Sequence, residues 1–384
     1  MSGLSELGHR WWIGVQLGAP PLVHRTVMPQ LHKAKEIVRI LTHPYLTLYE
    51  LQGQGEAGPL TVTYGGLGYA KPMLESMLFT EEPTEQVIGR VPVWRLDEVP
   101  ELSSGDLVIV EASKHLIRRL PRHGAIVLPW WIQLVLDVRG EWEDVMQRFH
   151  RTIRKQELRL VRKHGYDYVV SHSAKDFEMF YNDMYMPSVK ARHGSLASIS
   201  PVGEAYQCFR RGWLFLIKRD GRYVSGCICY AQGDVVRFSD VGVLNGDAQL
   251  IHKGAQGAVY YAMVHWANQQ GYAAVDFLGS WPFMSSGMFW YKRKWGAVVS
   301  ISPHQHKRIW IRVQRNTPAV SQFLKSNPCV IIDSRGKLQG LVVTDDPDTV
   351  TPKTEATWQK LYATPGLNGL LVRSVTDLIE TPAL

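Results

Sequence analysis

The 384 residues exceed what one hydrophobic core usually serves, so two domains are expected. With 45% hydrophobic and 20% charged residues and no low-complexity tract, the composition excludes a disordered, collagen-like or fibrous chain. A formal charge of +8 favours anionic partners such as phosphates, nucleic acid or anionic lipid without choosing among them, and a merely basic enzyme fits equally.

The N-terminal "MSGLSELGHRWW" has no basic region followed by an apolar run, so it does not read as a secretory leader. Residues 1 to 138 read as mixed α/β. "TLYELQG" and "DLVIVEA" have strand character, and "PMLESMLF" and "EASKHLIRRL" have helical spacing. Between them "TVTYGGLGYAKP" is a Gly-rich turn, a weak phosphate signal and more often a hairpin or loop. The most apolar stretch, residues 124 to 138, is broken by Pro129 and too short to span a bilayer, while its end, "IQLVLDV", reads as a buried strand. These features place the chain in the cytoplasm and leave peripheral membrane contact open.

From residue 141 the pattern changes. "EWEDVMQRFHRTIRKQELRLVRKHG" reads as one long helix, acids first and cations last, closed by Gly165. Six cations, Arg151, Arg154, Lys155, Arg159, Arg162 and Lys163, surround the single acid Glu157; they form either a solvated face or a ridge facing phosphate or RNA. "YDYVVS" is a strand, and "AKDFEMFYNDMYMPSVKARHG" is a helix with an exit loop. "WLFLIKRDGRYVSGCICYAQGDVVRFSDVGV" gives three antiparallel strands turning at Asp220-Gly221 and Gln232-Gly233-Asp234. The loop "LNGDAQLIHKGAQG" precedes a helix, "AVYYAMVHWANQQG", stopped by Gly271. A strand "AAVDFLG" then leads into "GMFWYKRKWGA" and "AVVSISP". Strands at "CVIID" and "LQGLVVT" mark a C-terminal extension from 310.

Four cysteines, Cys208, Cys227, Cys229 and Cys329, are too scattered for a disulfide framework and fit buried thiols in a reducing compartment. Cys227 and Cys229 share a strand face, but a zinc pair would want wider spacing and a second cluster. His304 and His306 have no carboxylate or cysteine nearby, so no metal is expected.

Three stretches carry a resemblance: "RFHRTIRKQELRLVRKHG", "HKGAQGAVYYAMVHWANQQGY" and "VDFLGSWPFMSSGMFWYKRKWGA". Over residues 141 to 300 the chain resembles GNAT-fold acyltransferases of the FemAB/CelD-like branch, which includes aminoacyl-tRNA-dependent peptidoglycan transferases. The resemblance implies an α/β (α+β) GNAT-like fold, with two tandem GNAT-like halves and a C-terminal extension. The halves would be a degenerate N-terminal domain at 1–138 and an acyltransferase domain at 139–309, with the extension at 310–384. It also puts Lys292 at the family's aromatic-Lys position and places acceptor-facing loops at Arg192 and His193.

Acyl transfer to an amine needs a donor held by its phosphates, a neutral amine, a path for its proton and positive charge near the developing oxyanion. "IHKGAQGA" can meet the first need through Lys253, Gly254, Ala255, Gln256 and Gly257, with a helix N-terminus aimed at the anion. Ile251 stands where the usual phosphate loop has a polar residue, a departure compatible with an aminoacyl-tRNA donor. Lys292 is the candidate cation, walled by Tyr291 and Trp295, with Lys294 sharing its face if the segment is a strand. Alternatively these rings pack in a core and the cations reach outward. Asp240 and Asp276, carboxylates in apolar strands, and His193 are candidate bases; alternatively Asp276 caps a neighbouring loop and Asp240 pairs with Arg237. The expected activity is therefore acyl transfer from acyl-CoA to a small-molecule amine, an amino sugar or a cell-envelope precursor. The alternatives are aminoacyl-tRNA-dependent transfer and a non-catalytic RNA- or membrane-binding scaffold.

Overall fold

The computed structural model describes residues 44–380 except 67, 195–198, 303 and 304, together with positions 30, 34, 38 and 42. The N-terminal segment read for a leader, and His304, lie outside the described residues.

Strands β1 (Tyr45–Gly55) and β2 (Gly58–Gly65) form a hairpin whose turn sets Gly55 against Gly58; Gly58 has φ +134, a conformation that only glycine adopts easily. Helix α1 (Lys71–Leu78) begins with Pro72 in its first turn and buries Leu74 and Leu78. Then come β3 (Thr84–Pro92) and β4 (Leu107–Ser113), whose seven residues are all buried. The helix expected over "EASKHLIRRL" is only α2 (Lys114–Ile117), because Glu111 to Ser113 belong to β4. Strands β5 (Ala125–Pro129) and β6 (Ile132–Asp137) follow.

The long helix expected from 141 is broken. Helix α3 (Trp142–Arg148) stops where Phe149 turns extended, at φ −70 and ψ 140. The ring of Phe149 lies edge-on to Trp142 and Trp295, and burying it there outweighs an unbroken helical ladder. The chain then passes through a wide π turn at Ile153–Glu157 into α4 (Leu158–Lys163).

Next come β7 (Asp167–Ser171) and α5 (Ala174–Met179), which continues through a π turn at Phe180–Tyr185 into α6 (Met186–His193). Helix α7 (Val202–Arg210) occupies part of what reads in sequence as an exit loop. The meander β8 (Gly212–Arg219), β9 (Arg222–Gln232) and β10 (Val235–Val243) matches the expected strands, with positive φ at Asp220, Gly221 and Gly233 in its turns. Helices α8 (Ala248–His252) and α9 (Ala255–Gln269) lead to β11 (Ala274–Ser280). The "GMFWYKRK" stretch is a helix, α10 (Gly287–Lys294), not a strand. The remainder comprises β12 (Val298–Ser300), β13 (Lys307–Val313), α11 (Pro318–Ser326), β14 (Cys329–Ile332), β15 (Leu338–Thr344), α12 (Pro352–Tyr362), β16 (Leu370–Ser374) and α13 (Val375–Glu380).

The described chain divides into two compact units. One comprises residues 134–278 and 291–297, the other residues up to 133, 279–290 and those from 298. In the first, strands run in the order β6-β11-β10-β9-β8-β7, and the residues of α5, its π turn and α7 pack Phe177, Phe180, Met184 and Phe209 against Leu214, Leu216 and Ile228. In the second, a six-stranded sheet runs β3-β1-β2-β4-β13-β5, beside a three-stranded sheet β14-β15-β16. Each unit thus carries an antiparallel pair followed, across a crossover, by a parallel strand: β1-β2 then β4, and β9-β10 then β11. This recurrence gives a mixed α/β fold in which the two units repeat one strand arrangement, as two tandem halves would. The expected boundary at 309/310 falls inside β13, which lies between β4 and β5 with Trp310 fully buried. Among the described residues no helix is long and apolar enough to cross a membrane.

Candidate active site

The first unit holds an interrupted ladder. Strands β10 and β11 pair in parallel only over Val235–Arg237 and Ala274–Asp276, yet they run on to Val243 and Ser280. At the point where pairing ends, the register of β10 against β9 slips between Phe238 and Asp240, leaving Ser239 as an extra, bulged residue. A bulge re-aims backbone groups out of the regular ladder, and in parallel sheets ligands bind at the carboxyl ends of the strands.

The last pair before the opening is charged. Arg237 Nη2 stands 3.0 Å from Asp276 Oδ2, and Asp276 Oδ1 accepts the Leu278 N–H at 2.9 Å. Asp276 is therefore a paired carboxylate that also caps the turn at Leu278. Leu278 has φ +60, a left-handed conformation that a leucine holds only under constraint. Its carbonyl accepts from Lys292 Nζ at 3.4 Å. Lys292 is 6% exposed; burial lowers its pKa to about 8, with the nearby charge of Asp276 opposing the shift. A buried lysine balanced near neutrality beside an open strand edge is the most distinctive titrating group of this unit.

Because α10 is a helix, Lys292 and Lys294 point about 200° apart and do not share a face. Tyr291 stands edge-on to Tyr260, with its pKa raised first by burial and then by the charge of Glu157. Lys294 also interacts with Glu157. Trp295 is fully buried, stacked on Tyr260 and edge-on to Phe149, so it is a core ring and not a pocket wall. The glycine after it has φ +80, and a Cβ there would lie 2.5 Å from the Arg148 carbonyl oxygen, which accounts for the Trp-Gly pair by packing.

Helix α9 opens on Gly254 in the left-handed region, φ +92. A Cβ at Gly254 would lie 2.8 Å from Leu160 Cβ, and one at Gly257 would lie 2.3 Å from Glu157 Oε2. The first turn of α9, where unsatisfied N–H groups favour an anion, thus already has a carboxylate of the chain against it. Desolvation raises the pKa of Glu157, with Lys294 opposing. Ala255 is buried, and its carbonyl accepts from Ser225 Oγ at 2.8 Å. Gln256 Oε1 accepts from Arg192 Nη2 at 3.1 Å, and Lys253 is exposed.

Asp240 does not pair with Arg237, whose partner is Asp276. Its oxygens accept from Ser200 Oγ at 2.8 Å and Ser239 Oγ at 2.7 Å, while Tyr185 OH lies 3.0 Å from Ser200 Oγ. Burial and the Asp240 charge push Tyr185 up to about 12. This network fastens residue 200 to β10, with the Asp240 carboxylate engaged by two serine hydroxyls. His193 closes α6, and its side chain lies outside the described residues. The six cations Arg151, Arg154, Lys155, Arg159, Arg162 and Lys163 are all exposed, while Ile153, Leu158 and Val161 between them are buried.

Lys292 and the glycine at the start of α9 were singled out from the sequence, whereas Glu157 and the Ser239 bulge, which lie near them in this unit, were not. Glu157 carried a signal as the single acid in a run of cations; the Ser239 bulge carried none, since "RFSDVGV" reads as an unbroken strand.

The chain matches no protein-family model and no curated protein. Among solved structures it is similar to FemX (13% identity, TM-score 0.39, covering 72% of this chain and 90% of that one). It is also similar to L-PGS from Bacillus licheniformis (11%, 0.34, 71% and 87%) and to a GCN5-related N-acetyltransferase from Kribbella flavida (12%, 0.26, 75% and 96%).

Proposed function

We propose that residues 134–278 and 291–297 form an N-acyltransferase that moves an acyl group from a phosphate-bearing carrier, acyl-CoA, to the amine of a small molecule or amino sugar. The observation that carries this reading is the early end of the β10–β11 ladder at a bulge, followed in the chain by a helix that opens on a left-handed glycine. The carrier's arm lies along the freed strand edges, its carbonyl faces the bulged backbone at Ser239, and its phosphates approach the first turn of α9, with Lys253, Gln256 and Arg192 at that end.

The neutral amine attacks the carbonyl carbon, a C–N bond forms, the C–S bond breaks, and the departing sulfur takes up a proton. Lys292, with a pKa of about 8, close to that of an ordinary thiol, holds positive charge beside the developing oxyanion. It hands a proton to the sulfur and regains one from the newly acylated nitrogen.

A second reading, with aminoacyl-tRNA as donor, is favoured by Glu157 against the first turn of α9 and by the six exposed cations of 151–163. In that case an ester C–O bond breaks instead of a thioester.

The test is thermal stabilisation by acetyl-CoA against charged and uncharged tRNA, followed by mass-spectrometric detection of acylated amines with the stabilising donor. Stabilisation by acetyl-CoA supports the first reading, and stabilisation by charged tRNA with steep salt dependence supports the second. If no donor stabilises the chain and no amine is acylated, both readings fall.

A further inference from the structure

The other unit contains a cavity of about 350 Å³ whose polar lining is almost entirely cationic. Five cations surround it: Lys114, Arg118, Arg122, Arg308 and Arg335, with Asp333 the lone acid. They come from four places in the chain. Lys114 and Arg118 are one turn apart at α2, where like charges repel. Arg122 lies on the following loop. Arg308 is on β13, in register with Ala112 and Pro129, and Arg335 is at the turn between β14 and β15.

None of the five has a carboxylate partner among the described residues. Arg308 Nη1 donates only to the carbonyls of Gln305, at 3.3 Å, and Lys307, at 2.8 Å, which aims the guanidinium without neutralising it. Asp333 is committed to its own turn: its Oδ1 accepts the N–H groups of Arg335 at 3.0 Å and Lys337 at 2.7 Å. Burial first, then the charge of Arg118, lowers Arg308 to about 10; burial, then Arg308 and Arg118, lowers Lys114. Like charges gathered in a half-buried hollow without a carboxylate partner among the described residues destabilise the empty fold. Beneath them Ile126, Ile301 and Ile331 form an apolar floor.

We propose that this cavity is a binding site for a small phosphorylated molecule carrying at least two phosphate charges, such as a pyrophosphate ester, with its organic part on the isoleucine floor. Three arginines offer planar forks suited to phosphate oxygens, and the volume suits a compact ligand rather than a polymer. The site stands independently of the acyl-transfer reading.

The test is calorimetric titration of the full chain with inorganic pyrophosphate. It is repeated on the Arg118→Gln/Arg335→Gln variant, which changes two exposed side chains, and on Lys114→Met. Pyrophosphate should bind the parent chain, and each variant should bind at least about tenfold more weakly while melting no lower without ligand. Unaltered affinity in both variants, or no binding to the parent, overturns the proposal. A parallel arm with vesicles containing anionic phospholipid separates sources: sedimentation with vesicles while pyrophosphate stays silent would make this a lipid-headgroup surface and overturn the small-molecule site.

Discussion

Lys292 shows what burial does to a single side chain. Its folded-state pKa of about 8 lies below the ordinary lysine value, so the unfolded chain holds a proton that the folded chain has released between about pH 8 and 10.5. Stability from this group therefore rises with pH across that window. Below pH 8 the full desolvation penalty is present, about 3 kcal/mol by the size of the shift. Lys292→Met should remove the penalty and raise stability at pH 7 by about 1–3 kcal/mol, a gain that shrinks toward pH 10. The same change should cut acyl transfer by about a hundredfold or more and abolish the fall in rate expected of the parent as pH rises through about 8. Urea denaturation at pH 7 and 9.5, with a pH–rate profile, checks both. A variant that loses stability and rate together would make Lys292 a packing residue. Glu157 offers the complementary case. If its carboxylate competes with donor phosphate at α9, Glu157→Gln should tighten acetyl-CoA binding up to about fivefold, the value of one charge at a helix terminus. Unchanged or weaker binding by titration would place the donor elsewhere.

At the scale of elements, the residues read as one helix from 141 to 164 do two things. The broken turn at Phe149 places a ring in the core, and the half beyond it exposes its cations while holding Glu157 inward. If tRNA is the donor, changing Arg154, Arg159 and Arg162 to Gln should weaken binding uniformly across tRNA sequences. Each lost phosphate contact should flatten the slope of log affinity against log salt by about 1. A slope that does not move would leave the ridge a solvated face. Strand β10 shows a second element-scale effect. A Cβ on Gly242 would lie 2.5 Å from the Met184 carbonyl carbon and the Tyr185 nitrogen, so Gly242→Ala should cost about 2 kcal/mol or more by forcing backbone apart. The periodicity of "DVVRFSDVGV" announces the strand but not this contact, because the π turn it touches lies some sixty residues away in sequence.

At the scale of the whole molecule, the chain is not laid out in consecutive blocks. Strand β13 is inserted between β4 and β5 of the N-terminal sheet, pairing Lys307–Val313 with Leu107–Ser113 and Arg308–Arg312 with Ala125–Pro129. Truncation after residue 309 should therefore leave β4 and β5 without the strand that joins them, and Trp310 and Ile311 absent from the core. The shortened chain should lose its cooperative unfolding transition by circular dichroism, whereas a detachable extension would leave that transition intact.

What the sequence determined by itself is what neighbouring residues decide. The β8–β10 meander and its Asp220-Gly221 turn, and the helix 255–269 with its glycine entry and glycine stop, all follow from local periodicity and backbone preference. Only the tertiary structure decided that Arg237 pairs with Asp276 and leaves Asp240 to two serines, that Lys292 is buried near a neutral pKa, and that five cations from distant segments share one cavity. Charge pairing and desolvation depend on which residues meet across the fold, and those meetings lie beyond the few positions over which a sequence pattern speaks.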